Sequence, residues 1–240
     1  MRLNRSGIMK VEYTKFSRFI SKTTGRQLVI PDIHGCLMTF RALLKQIKLA
    51  QNDQLFLLGD YINKGKNSKG VLDLIINLQK NQEENGYQIF PLRGNHEQML
   101  IEDYEGIATH EYLDKTNNYS ESHYRFVSNL PYFYELDNFF LTHAGFNLET
   151  QNPFLDFEAM LWRRDFTITG KEKINNFYDK TIVIGHNPTF LDYILQDISL
   201  KTPSICLDNG CVYHKKWFLG NLLCLNLNSF EVFVQENIEN

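Results

Sequence analysis

The 240-residue chain is 43% hydrophobic and 13% aromatic, enough to bury a sizeable core in one large domain or two small ones. Its formal net charge of -3 argues against a general nucleic-acid binder, which is normally strongly basic. No run approaches the roughly 18 apolar residues of a membrane span, so a membrane partner is not expected either.

Residues 1–26 depart from the average, with seven Lys or Arg and one acid, Glu12. They hold no apolar stretch of the secretory kind, so they read as a basic N-terminal arm ahead of a single domain over 27–240. The four cysteines (Cys36, Cys206, Cys211, Cys224) show no CxxC pairing and are expected as free thiols in the cytoplasm.

From Gln27 onward, short apolar runs end in polar, glycine-marked turns. In chain order they are "RQLVIPDIHG", "QLFLLGD", "YQIFPLRGNHE", "NFFLTHAG" and "KTIVIGHNPT". Each has the length and the Val, Ile, Leu and Phe content of a buried strand. Helical spacing separates the early runs: Phe40, Leu43, Leu44 and Ile47 share one face, as do Val71, Leu74, Ile75 and Leu78. Between Glu102 and Phe140 stand ten Tyr or Phe, which suit either a helical flap over one end of the sheets or plain core. Towards the C-terminus, "SICLDNG", "NLLCLNLNS" and "EVFVQE" read as antiparallel strands joined by turns. The fold class is α/β with a strand-rich C-terminal half.

The lysine-rich stretch "GDYINKGKNSKG" is not a Walker-type phosphate loop, because its glycines are spaced wrongly and Asn67 follows Lys66 where Ser or Thr should stand. Its Asp60 instead sits at the carboxyl end of a strand, where α/β sheets bind ligands. The other strand ends supply Asp32 and His34, Asn95 and His96, His143, and His186. The remaining histidines, His110, His123 and His214, do not follow strands and receive no function. Any one of these residues alone is as easily a helix cap or a structural histidine. Together, Asp32, His34, Asp60, Asn95, His143 and His186 form a mixed oxygen and nitrogen ligand set. That set suits manganese first, with iron or zinc as alternatives, and not calcium. Six ligands are too many for one catalytic metal with an open position and fit two metals about 3.5–4 Å apart. Asp60 is the natural bridge, with Asp32 and His34 on the first metal and Asn95, His143 and His186 on the second. Such a pair activates a water for in-line attack on phosphorus. His96, directly after Asn95, is the candidate general acid. Arg93, Arg163 and Arg164 are available to bind phosphate. Cys36 and Cys211 read as small apolar fillers.

In order, "DIHG", "GDYINKG", "GNHE", "HAG" and "GH" resemble the signature blocks of the calcineurin-like metallophosphoesterases of the phosphoprotein phosphatase family, over roughly Gln27 to Leu225. "LWRRDF" and "LDNGCVY" look like later blocks of its bacterial members. The resemblance implies a two-layer β-sandwich flanked by helices, with a dimetal site at the C-terminal strand ends and hydrolysis of protein phosphoserine or phosphothreonine. It also implies Arg164 and Lys64 as phosphate-binding residues, with Arg163 the less favoured neighbour. In the family the second block usually reads Gly-Asp-x-x-Asp-Arg-Gly; here Asn63 and Lys64 replace the Asp and the Arg. Asn63 can orient His96 but supplies no negative charge, so a lower His96 pKa and an acid-shifted activity profile are expected. The Asn-Lys pair resembles the block of diadenosine tetraphosphatase-like enzymes, which makes a nucleoside polyphosphate or polyphosphate the alternative substrate. A third reading is a weakly catalytic phospho-binding module.

Overall fold

The computed structural model describes residues 17–111, 113, 118–168, 180–213 and 218–239. Most of the basic segment, residues 1–16, and His214 lie outside them.

Two five-stranded sheets stack face to face. The first has the order β10–β9–β2–β3–β4, built from β2 (Gln27–Ile30), β3 (Gln54–Leu57), β4 (Gln88–Pro91), β9 (Asn221–Asn226) and β10 (Val232–Glu236). The second has the order β1–β5–β6–β7–β8, built from β1 (Ser17–Phe19), β5 (Phe133–Glu135), β6 (Phe139–Thr142), β7 (Thr181–Ile184) and β8 (Ser204–Cys206). The strands from β2 to β4 pair parallel, as do β6, β7 and β8.

Two-residue alternation sorts the side chains into three layers. Val29 of β2, Phe56 of β3, Leu141 of β6 and Val183 of β7 meet between the sheets. Leu28, Ile30, Leu55 and Leu57 point the other way, onto helices α1 (Leu37–Ile47), α2 (Ser68–Lys80) and α4 (Asn95–Tyr104). Phe140, Ile182 and Ile184 form the third layer with Phe146, Phe154 and Met160, beside α6 (Phe157–Trp162). Strands covered on both faces explain why the runs read as continuous apolar stretches. The short α3 (Gln82–Asn85) follows α2, and α7 (Leu191–Leu200) lies between β7 and β8.

One expectation meets the structure differently. Ser204–Cys206 does not join an antiparallel C-terminal set: it pairs parallel with β7 because α7 carries the chain back in a crossover, and only β9 and β10 form the expected antiparallel pair. The aromatic segment after Glu102 supplies α5 (Glu121–Ser128) and then two strands. Its Leu113, Val127 and Leu130 belong to the helix-side core, which is the plain-core alternative. Within the basic segment, Ser17–Phe19 is a strand that pairs parallel with β5 and closes one sheet edge.

Candidate active site

Five strand ends converge on one side of the sandwich. Asp32, Asp60 and Asn95 lie two, three and four residues beyond the register row Ile30–Leu57–Pro91 of three adjacent strands. His143 directly follows β6, and His186 comes two residues after β7, so the second sheet completes the cluster. The chain turns sharply at these exits. His34, Asp60, Asn63, Lys64 and His186 all adopt positive φ, between 46° and 68°. Such left-handed backbone is costly for non-glycine residues and persists only where the surroundings enforce it.

Glycines and one buried carboxylate supply that enforcement. A Cβ on Gly59 would lie 2.4 Å from the Gly94 nitrogen, so the β3 and β4 exits touch backbone to backbone. Glu97, fully buried, fastens them: Oε2 accepts from Asp60 N at 2.8 Å and Gly94 N at 2.9 Å, and Oε1 accepts from Tyr61 N at 2.8 Å. Burial outweighs these bonds and leaves its carboxyl above the usual range.

The cluster contains two buried triads, His34–Asp60–His96 and Asp60–His143–His186, each with ligand atoms within 4.8 Å of one another. Asp60 belongs to both. Asp32 stands beside them, with Oδ2 3.8 Å from His34 Nε2 and Oδ1 accepting from His186 N at 2.9 Å. His34 Nδ1 donates to the Ile62 carbonyl and His143 Nδ1 to the Leu58 carbonyl, each at 2.9 Å. Both rings therefore turn an Nε2 lone pair inward. Asn95 Oδ1 is 2.9 Å from His143 Nε2, and His186 Nδ1 is 3.0 Å from the same nitrogen. The Asn95 oxygen faces only acceptors; turning the amide over would aim its N–H groups at Asp60, His143 and His186. Lone pairs converging on one point are the chemistry of a cation site, so the donor set fits divalent metals.

Electrostatics agree. Burial, then Asp208 and Asp60, push the Asp32 carboxyl well up; burial and Glu97 do the same to Asp60. Burial and then Lys64 hold His34 well below its ordinary value, and burial with His186 does so for His143. His186 falls to about 4, through burial and then Arg164. The imidazoles are thus neutral, and for both carboxylates burial outweighs the attraction of the Lys64 ammonium.

His96 lies at the start of α4. Its backbone N–H donates to Asp60 Oδ1 at 3.0 Å, and its Nε2 points into the cluster, 3.8 Å from Asp60 Oδ2. Asn63 Nδ2 lies 2.7 Å from His96 Nδ1. An amide N–H donating there fixes the tautomer with the proton on Nε2. Burial and then Lys64 lower His96 to about 3. The Lys64 ammonium donates to His34 Nε2 at 2.8 Å and lies 5.7 Å from the Tyr213 ring centre.

The three arginines separate. Arg164 is exposed, and its charge lowers both His96 and His186, which puts it on the rim of the cluster. Arg163 turns to Asp165 and the Phe146 carbonyl. Arg93 is buried against Gln98, Tyr132 and the Ser128 carbonyl. Of the histidines given no function, His110 meets Glu102 and His123 meets Asp73. Two neighbours of the site receive no role in it from the sequence. Glu97 carries a local signal, since it is the N3 residue of a helix capped by Gly94. Asp208, buried and raised to about 6 by burial, follows the apolar run of β8 as the other site acids follow theirs.

The sequence profile described as Calcineurin-like phosphoesterase matches residues 25–219. Shewanella-like protein phosphatase 1 of Plasmodium berghei (strain Anka) is 27% identical over 157 residues, which is 57% of this chain and 42% of that one. A symmetrical bis(5'-nucleosyl)-tetraphosphatase of Wigglesworthia glossinidia brevipalpis is 39% identical over 74 residues, 30% of this chain and 25% of its own length. The matched stretches thus span less than half of these relatives. Among solved structures, the cold-active protein-tyrosine phosphatase of a psychrophilic Shewanella species superposes with a TM-score of 0.64 at 16% identity, covering 95% of this chain and 83% of the other. At that identity the likeness is one of fold.

Proposed function

The chain belongs to the calcineurin-like phosphoesterase family, and on that premise we propose that it is a dinuclear metallophosphoesterase acting on protein phosphoserine and phosphothreonine. The observation that carries the reading is Asp60, whose one carboxylate serves two buried triads. Asp32, His34 and Asp60 would hold one divalent cation, and Asp60, Asn95, His143 and His186 the other, with manganese the first choice. When bound, such a pair lowers the pKa of a water and neutralises phosphate oxygens.

The chain's own groups do the rest. Lys64 and the rim guanidinium of Arg164 hold the phosphate oxygens over the cluster. Protonated to imidazolium, His96 gives its Nε2 proton to the departing alkoxide and keeps the Nδ1 proton. Asn63, 2.7 Å from Nδ1, meets that proton with its amide oxygen once the amide turns over. Glu97 holds Asp60 and the start of α4 at fixed separation through its three backbone bonds. We place the reaction in the cytoplasm, since Cys36, Cys206, Cys211 and Cys224 are free thiols, the state a reducing compartment maintains. Among the described residues no helix is long and apolar enough to cross a membrane.

A specific feature favours a second reading, hydrolysis of dinucleoside polyphosphates. Lys64 is a point charge where a forked arginine would bind one phosphate bidentately, and tetraphosphatases are among the relatives. The two readings part in one assay: phosphate release by the manganese-loaded protein from a phosphothreonine peptide and from diadenosine tetraphosphate, side by side. Preference for the peptide is expected. Preference for the dinucleotide overturns the first reading. No metal-dependent turnover of either overturns both and leaves a phospho-binding module.

A further inference from the structure

Two loops leave the metal-ligand cluster and build a second concavity. After His186 the chain runs through Pro188 to Phe190 and into α7. After Asp208 it runs through Tyr213, beside Lys64, and the described chain resumes at Phe218. The two are tied together: Asn209 Nδ2 donates to the Thr189 carbonyl at 2.9 Å and to the Phe218 carbonyl at 3.3 Å. Between them lies a cavity of about 540 Å³ whose walls include Phe190, Tyr193, Phe218, Leu219, Asp192 and Glu236.

Its walls have a definite chemistry. Phe190, Tyr193 and Phe218 are 44%, 60% and 87% exposed, and the Phe190 and Phe218 rings meet edge to face at 6.5 Å. Large exposed aromatics on a soluble protein mark contact surfaces. Asp192 and Glu236 bring two carboxylates to the same cavity and form no ion pair with another described residue. Ring faces and carboxylates around one space complement a flat, weakly hydrated cation and repel an anion.

We propose that this cavity is a substrate subsite that takes the arginine side chain of a phosphopeptide whose phosphate lies at the metal-ligand cluster. The guanidinium stacks on the aromatic rings and pairs with Asp192 or Glu236, while the peptide backbone crosses Tyr213 to reach Lys64. The proposal rests on the phosphoprotein reading and adds a sequence preference to it. It also assigns Phe190 and Phe218 a reason to stand in solvent.

The test uses the full chain loaded with manganese and fluorescent peptides carrying a non-hydrolysable phosphothreonine mimic. Arginine is placed at each of three positions on either side, against alanine and glutamate controls, and binding is read by anisotropy, which needs no turnover. One arginine position is expected to tighten binding by about tenfold over alanine, with glutamate weaker than alanine. Phe218→Ala and the double variant Asp192→Asn/Glu236→Gln should each remove that gain, with turnover of p-nitrophenyl phosphate unchanged. Arginine peptides that bind no better than alanine peptides at every position overturn the proposal, as does a gain that survives both variants. Loss of adenosine tetraphosphate binding in Phe218→Ala, without any effect on peptides, also overturns it and assigns the cavity to a nucleobase. Absence of p-nitrophenyl phosphate turnover in the parent protein falsifies the metallophosphoesterase reading separately from the binding result.

Discussion

Replacing Glu97 by Gln tests whether the site geometry is held from behind the ligands. The side chain is fully buried and accepts three backbone N–H groups. An amide offers one acceptor oxygen in place of two. If that oxygen keeps Asp60 N and Gly94 N, the new NH2 faces Tyr61 N–H, donor against donor. One orphaned buried N–H costs about 1–3 kcal/mol, and losing the charge on the two remaining bonds adds about 1 kcal/mol. Relief of carboxylate burial, which already raises Glu97, returns part of this. The net loss is about 2–3 kcal/mol, and for a chain of this size each kcal/mol lowers Tm by roughly 2–4 °C. Because the lost bonds set the separation of Asp60 and Asn95, the proposed metal ligands, manganese affinity or kcat should also fall by about 10–100-fold, the usual cost of losing an outer partner of a metal ligand. Calorimetry and a manganese titration of p-nitrophenyl phosphate turnover read the two effects. A variant with Tm within about 1 °C of the parent and an unchanged manganese titration refutes the argument. A lowered Tm with an unchanged titration reduces Glu97 to a purely structural residue.

Asn63→Asp places a carboxylate on His96 Nδ1, at the atom the amide now meets at 2.7 Å. A neighbouring negative charge favours imidazolium, so the His96 pKa rises and the basic limb of the pH–kcat/KM profile moves up by about 1–3 units; an unmoved limb contradicts the assignment of His96 as the acid. Asp60→Asn should remove more activity than the Glu97 variant and abolish manganese-dependent stabilisation, because the amide replaces the carboxylate common to both triads; thermal shift with and without metal checks this. Added manganese at a hundred times its Kd should stabilise the parent by about 2.7 kcal/mol, and a chelator should reverse both that shift and turnover. Phe140→Ala removes a ring packed on Phe133, Phe146 and Phe154. It should cost about 3–5 kcal/mol in urea unfolding with manganese binding intact.

The strand-end residues were readable because their signal is local. Each apolar run is followed within a few residues by the polar group it carries, and the two-faced burial of β2, β3, β6 and β7 makes those runs stand out. Asn63 opposite His96 and Lys64 beside His34 were legible only as departures from a pattern. The 2.7 and 2.8 Å contacts depend on backbone turned into positive φ, which composition does not announce. β8 was misplaced for a topological reason: an isolated three-residue strand pairs according to the crossover that delivers it, and α7 delivers it to β7. Asp208 carries a weak signal because the run before it is short and reads as part of a hairpin. The aromatic cavity is a meeting of residues 190–193 with residues 218–236, and no window of sequence contains both.

The row Ile30–Leu57–Pro91 also governs how this centre can change over time. Asp32, Asp60 and Asn95 follow the ends of neighbouring strands, whose spacing of about 4.8 Å is fixed by main-chain hydrogen bonds. The sheet therefore works as a ruler with a fixed division, and only a buried fastening such as Glu97 adjusts the turns beyond its marks. Loops beyond these residues can lengthen, shorten or exchange composition while the spacing of the strand ends that carry the two triads is inherited unchanged. On the proposed function, diversity in this scaffold should accumulate around the substrate, at Asn63, Lys64 and the Phe190 and Phe218 loops, and a designer seeking new substrates has those positions to vary while the ruler stays as it is.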